Sequence, residues 1–100
     1  MQEARILVVD DEESIRQMVR FSLEREGFAV LEAENASQAR VSVADEAPDL
    51  ILMDWMMPGV SGLELTRSLR RDDMGREIPI IMLTARIEEG DRVRGLDQGA

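Results

Sequence analysis

The stretch Asp49-Leu50-Ile51-Leu52-Met53-Asp54 limits the folds open to this chain more than any other. It is an apolar run too short for a free-standing helix, opened by Pro48-Asp49 and followed by Trp55-Met56-Met57-Pro58-Gly59. That pattern predicts a strand buried on both faces, and such strands belong to parallel sheets. A carboxylate ending such a strand loses hydration unless it stands at the carboxyl edge of the sheet, where ligands of open α/β folds bind. Asp54 is therefore the candidate reactive centre.

The flanking segments supply the rest of that sheet. Arg5-Ile6-Leu7-Val8-Val9 predicts a first strand that halts at Asp10-Asp11-Glu12-Glu13. The helix after it is expected to turn Ile15, Met18, Val19, Ser22 and Leu23 inward and Arg16, Arg20 and Glu24 outward, stopping at Gly27. Phe28 to Ala33 has the character of an edge strand, and Asn35 with Gln38 resembles a capping box opening a weak helix of Ala36, Ala39, Val43 and Ala44. A third helical stretch follows Gly62, with Leu63, Thr66, Leu69 and Arg70 inward or at the margin, and dissolves in Asp72-Asp73-Met74-Gly75. Ile78 to Leu83 predicts a fourth strand, apolar enough to be covered on both faces and closing at Thr84-Ala85. A last helix is expected from about Ile87 through Val93 and Leu96, capped at Gly99. Strands alternating with helices predict one doubly wound parallel α/β domain over residues 1–100, with strand order 2-1-3-4.

In that order strand 1 lies beside strand 3, so Asp10, Asp11 and Asp54 converge at the topological switch point, with Thr84 at the end of strand 4. Three like charges that close cannot all remain ionised without a counter-ion. A hard divalent cation resolves the conflict, and all-oxygen ligation with retained waters favours magnesium over zinc. The Met56 backbone carbonyl can add a ligand whatever its side chain. A carboxylate beside bound magnesium can attack a phosphoryl group, which would leave an acyl phosphate on Asp54, with the Thr84 hydroxyl donating to a phosphate oxygen.

Composition narrows the alternatives. Cysteine, histidine and tyrosine are absent and every one of the 12 basic residues is arginine, which removes thiol and imidazole nucleophiles, Schiff bases and disulfides. With 21 acidic residues the formal charge is -9, so direct binding to nucleic acid or to an anionic membrane surface is not expected. The start carries no cleavage site and no stretch approaches bilayer-spanning length, which predicts a cytoplasmic protein.

These segments together resemble the receiver domain of bacterial two-component response regulators. The resemblance rests on Ile6-Leu7-Val8-Val9-Asp10-Asp11-Glu12, on Asp49 to Asp54, on Met57-Pro58-Gly59 with Ser61-Gly62, and on Ile80-Ile81-Met82-Leu83-Thr84-Ala85. Trp55, Arg86 and the run Asp91 to Ala100 look most like the subfamily whose output is a winged-helix DNA-binding domain. The resemblance implies a flavodoxin-like, CheY-like fold in which Asp54 takes a phosphoryl group from a sensor histidine kinase and switches a transcriptional output. Asp10, Asp11, Asp54 and the Met56 carbonyl would hold magnesium, and Thr84 would be the switch hydroxyl. It also implies a domain that assists its own phosphorylation and dephosphorylation rather than an enzyme. The family pattern continues into a fifth strand, a phosphate-pairing lysine and a fifth helix, whereas these 100 residues hold no lysine and end at Ala100.

Two other functions fit parts of the pattern. A magnesium-dependent phosphatase with an aspartyl nucleophile would generally carry a second acid two residues beyond Asp54, where this chain has Met56. A phosphorylation-incompetent interaction or folding module would need no lysine. An apolar fourth strand without a fifth beside it means either that the sequence is a piece of a larger domain or that another molecule pairs with that edge, and the second predicts self-association of the 100-residue chain. Size-exclusion chromatography with light scattering is expected to give a mass above the monomer's, and a clean monomer at high concentration would contradict it.

Overall fold

The computed structural model describes residues 3–54, 57, 59–73 and 75–83. Seven elements follow in order: β1 (Arg5–Val9), α1 (Glu13–Arg25), β2 (Ala29–Ala33), α2 (Ala36–Glu46), β3 (Leu50–Asp54), α3 (Gly62–Arg70) and β4 (Ile80–Leu83). All strand pairs are parallel, and the sheet runs β2-β1-β3-β4. The sequence predicts this order, with β2 at an edge and β1 beside β3. The expected last helix, Thr84, Trp55 and Met56 lie outside the described residues.

Parallel register sorts the side chains into two faces, because partners across neighbouring strands point the same way. Leu31, Leu7, Ile51 and Ile80 form one row, and Ala33, Val9, Met53 and Met82 the next. These rows join Ala36, Ala39 and Val43 of α2 and Leu65 and Leu69 of α3 in one apolar core. On the opposite face α1 covers β2 and β1, where Ile6 and Val8 are buried. Beyond the reach of α1 the cover thins. Leu50 and Leu52 of β3 are only half-buried, and Ile81 of β4 is 50% exposed, so neither strand is sealed on both faces as its uniform apolarity suggests.

Short polar devices fix the element ends. At the start of β3, Asp49 Oδ2 accepts from the Arg5 backbone N–H at 2.8 Å while the Asp49 N–H donates to the Arg5 carbonyl at 2.8 Å, locking the β1/β3 register. Asn35 caps α2 by accepting from the Gln38 N–H at 2.9 Å. Gln38 returns the bond to the N–H of Glu34 at 3.0 Å, one residue earlier than a capping box requires. Ser61 caps α3 by accepting from the Glu64 N–H at 3.2 Å. Gly27, at φ +94°, ends α1 where a side chain would be strained.

Helix α1 departs from its expected facing. Arg16, predicted to point outward, is buried, and Met18, predicted to point inward, is 63% exposed, as is Phe21 at 65%. The cause is an acid on the facing strand. Glu32 lies on the α1 side of β2, in register with Val8, and a carboxylate there needs a cation. Arg16 Nε supplies one bond to it at 3.0 Å and Arg20 supplies another at 2.7 Å. Rotating the helix to satisfy this pair takes Met18 off the sheet.

The α3–β4 connection is pinned by one arginine. Arg70 donates to the carbonyls of Gly75, Arg76 and Ile78 at 3.1, 3.1 and 2.7 Å. This draws buried Gly75 against the end of α3, so that a Cβ at that position would lie 2.9 Å from the Leu69 carbonyl oxygen. Gly75→Ala is expected to cost about 1–3 kcal/mol through this overlap, measured by chemical denaturation. Unchanged stability would show that the loop has room to move.

Candidate functional site

Strands β1 and β3 stop side by side because each apolar run is broken by an acid at its carboxyl end. Asp10 follows directly on Val9, and Asp54 is the last residue of β3. The next residue, Asp11, turns the chain toward α1. One carboxylate oxygen from each of Asp10, Asp11 and Asp54 lies within 4.8 Å of the other two. Asp10 is 1% exposed, Asp54 is intermediate and Asp11 is open to solvent. The cluster therefore has a buried floor and an accessible mouth.

Asp10 is held at its amide, carbonyl and side chain. Its N–H donates to the Ala33 carbonyl at 3.1 Å, joining it to the end of β2. Its Oδ1 accepts from the Glu12 N–H at 2.8 Å, and its carbonyl accepts from Arg16 at 2.7 Å. Burial pushes the Asp10 carboxyl above the ordinary aspartate range; the bond from Glu12 opposes this, nearby Asp11 and Glu12 reinforce it, and Arg16 opposes it. Glu32 moves the other way. Burial alone would raise it, but hydrogen bonds from Arg20 and Arg16 outweigh that and hold it below the usual glutamate range.

The donor set is uniform: three carboxylates, with no nitrogen or sulfur ligand, since the sequence lacks histidine and cysteine. Hard oxygen donors of net charge near minus three suit a hard divalent cation rather than zinc or copper. Of the residues the sequence points to, the structure brings together Asp10, Asp11 and Asp54, while Thr84 and Met56 lie outside the described residues. Sequence reasoning missed Arg16 and Glu32, which shape the cluster from behind. Glu32 offers the available signal, as the single charged residue in a five-residue strand.

The profile of the response regulator receiver domain matches residues 6–100. The chain belongs to the response regulator receiver domain family. Among its relatives, the phosphate regulon transcriptional regulatory proteins PhoB of Pseudomonas aeruginosa and Escherichia coli are each 55% identical to it, over 95% and 96% of the chain. The transcriptional regulatory protein ResD of Bacillus subtilis is 48% identical over 97%. The chain spans 42% of the length of the two PhoB proteins and 39% of ResD. Among solved structures, Vibrio cholerae chemotaxis protein CheY4 superposes with a TM-score of 0.86 at 32% identity, covering 99% of this chain and 82% of that one. A Pseudomonas putida response regulator receiver protein gives 0.86 at 25% identity, covering 100% of this chain and 83% of that one. The chain is thus a PhoB-like receiver domain of CheY-like, flavodoxin-like fold, a phosphoacceptor regulatory domain of two-component signalling rather than an enzyme in its own right. Among the described residues no helix is long and apolar enough to cross a membrane.

The raised Asp10 carboxyl carries a stability consequence. Its charged form is disfavoured in the fold, so the metal-free receiver is strained at neutral pH, and the strain is relieved as pH falls through the raised pKa and Asp10 takes up a proton. Asp10→Asn keeps an acceptor for the Glu12 N–H without the charge. In metal-free buffer it is expected to stabilise the fold by about 0.5–2 kcal/mol at neutral pH, with the advantage shrinking as the pH is lowered. Denaturant titrations across pH check this, and an Asp10→Asn protein less stable than the wild type at pH 7 would contradict it.

Proposed function

We propose that Asp54 is the phosphoacceptor and that Asp10, Asp11 and Asp54, with the Met56 carbonyl, hold magnesium beside it. The observation that carries this reading is the meeting of three carboxylates within 4.8 Å at the carboxyl edge of the sheet. Asp10, buried and triply bonded, is a fixed ligand, while Asp11 guards the open side. Asp54, at the end of the strand between them and β4, supplies the carboxylate oxygen that attacks phosphorus. A bond forms between that oxygen and phosphorus as the bond from phosphorus to the donor breaks, and the electron pair leaves with the donor group. The product is an acyl phosphate on Asp54. Bound magnesium would neutralise the charge that accumulates on the transferred oxygens. By the family pattern Thr84 donates its hydroxyl to the new phosphate and so senses it.

The donor fitting this chemistry is the phosphohistidine of a sensor kinase, and the receiver's own carboxylates assist both its phosphorylation and its later hydrolysis. The relatives' names as transcriptional regulators, and a chain that spans two-fifths of their length, support a winged-helix DNA-binding output in the full protein. Phosphorylation then biases a two-state domain, and the output reads the altered face.

Incubating the full-length protein with magnesium and acetyl phosphate tests the assignment by intact mass. The wild type is expected to gain one phosphoryl group, Asp54→Ala none, and omission of magnesium is expected to abolish the gain. A phosphorylated Asp54→Ala protein would place the acceptor elsewhere.

A further inference from the structure

We infer that Arg16 is a positioning residue for the metal site, one that sets the directions of two carboxylates without touching the cation. The inference rests on the metal assignment proposed above. Arg16 NH1 donates at 2.7 Å to the Asp10 carbonyl in a buried contact, and Nε donates at 3.0 Å to Glu32. That carbonyl belongs to the planar peptide unit joining Asp10 to Asp11. Holding it fixes ψ of Asp10 and φ of Asp11 together, and with them the directions in which both Cα–Cβ bonds leave the backbone. One guanidinium thereby orients two of the three acids of the cluster. The bond to Glu32 keeps the guanidinium fixed in turn, since Glu32 stands on β2, in register with Val8 of β1. The chain of support runs from α1 through β2 to the Asp10–Asp11 peptide.

Charge and geometry make opposite demands here, which makes the inference testable by sign. A cation behind three carboxylates weakens their pull on a metal, so simple electrostatics has loss of Arg16 tightening magnesium binding. Loss of alignment loosens it. The outer partners of metal ligands typically change affinity by about 10–100-fold when removed. Arg20 supplies the control, because it carries the same charge and also bonds Glu32 but has no bond to Asp10.

Magnesium chloride titrations of the full-length protein, followed through the fluorescence of Trp55, which adjoins Asp54 in sequence, provide the readout. Arg16→Met is expected to bind magnesium about tenfold more weakly than the wild type despite the loss of a positive charge. Arg20→Met is expected to bind as tightly as the wild type or more tightly. Arg16→Lys keeps the charge and one donor and is expected to fall between Arg16→Met and the wild type. Circular dichroism reports whether each variant is folded. If Arg16→Met fails to fold, Arg16→Lys decides, weaker binding supporting the inference and wild-type binding overturning it. Arg16→Met binding as tightly as the wild type, or Arg20→Met losing as much, would overturn it. A wild type whose magnesium affinity is unmoved by Asp10→Asn and Asp54→Asn would instead remove the metal assignment on which it rests.

Discussion

Mutual repulsion among three carboxylates is the constraint around which this edge of the sheet is built. With oxygens no more than 4.8 Å apart, two unit charges repel by at least about 3.5 kcal/mol at an effective dielectric constant of about 20. A fold optimised for stability alone would not place acids there. This one does so because β1 and β3 are neighbours at the point where the chain reverses its direction of travel across the sheet, and that is where a crevice opens. The cost is met by interactions further back. Ile51 and Met53 anchor β3 in the core, Leu7 and Val9 anchor β1, and the Asp49–Arg5 clamp fixes their register at the far end.

Polar support from α1 and β2 completes the arrangement. Buried arginine is expensive unless its donors are used and its charge is met. Here Glu32 meets the charge and the Asp10 carbonyl takes a donor. The same contacts that make Arg16 tolerable in the interior also stiffen the backbone that carries the acids. Stability and the geometry of the acid cluster therefore share a network on this side of the sheet, while on the other side the core is apolar packing by α2 and α3.

Much of this was legible in the sequence. Apolar runs ending abruptly at Asp10 and Asp54 gave the strands, their alternation with helices gave the parallel order, and the order alone brought the acids together. Asn35 opens its helix as the capping residue that the sequence suggests. The facing of α1 was not legible, because periodicity assigns Arg16 and Arg20 to the solvent side. Arg16 is buried by an acid 16 residues away, a tertiary pairing that no local window contains. Leu65, fully buried in α3, was likewise overlooked, and the open faces of Leu52 and Ile81 could not be foreseen from strands that are apolar at every position.

The most direct test of the shared-cation site is anomalous diffraction from crystals of the receiver grown with manganese, which carboxylates bind much as they bind magnesium. A single strong peak in contact with Asp10, Asp11 and Asp54 together is the result expected. A peak held by only one of them, or found on another face of the molecule while these three stay clustered, would contradict the reading of this edge as a metal-assisted phosphoacceptor site.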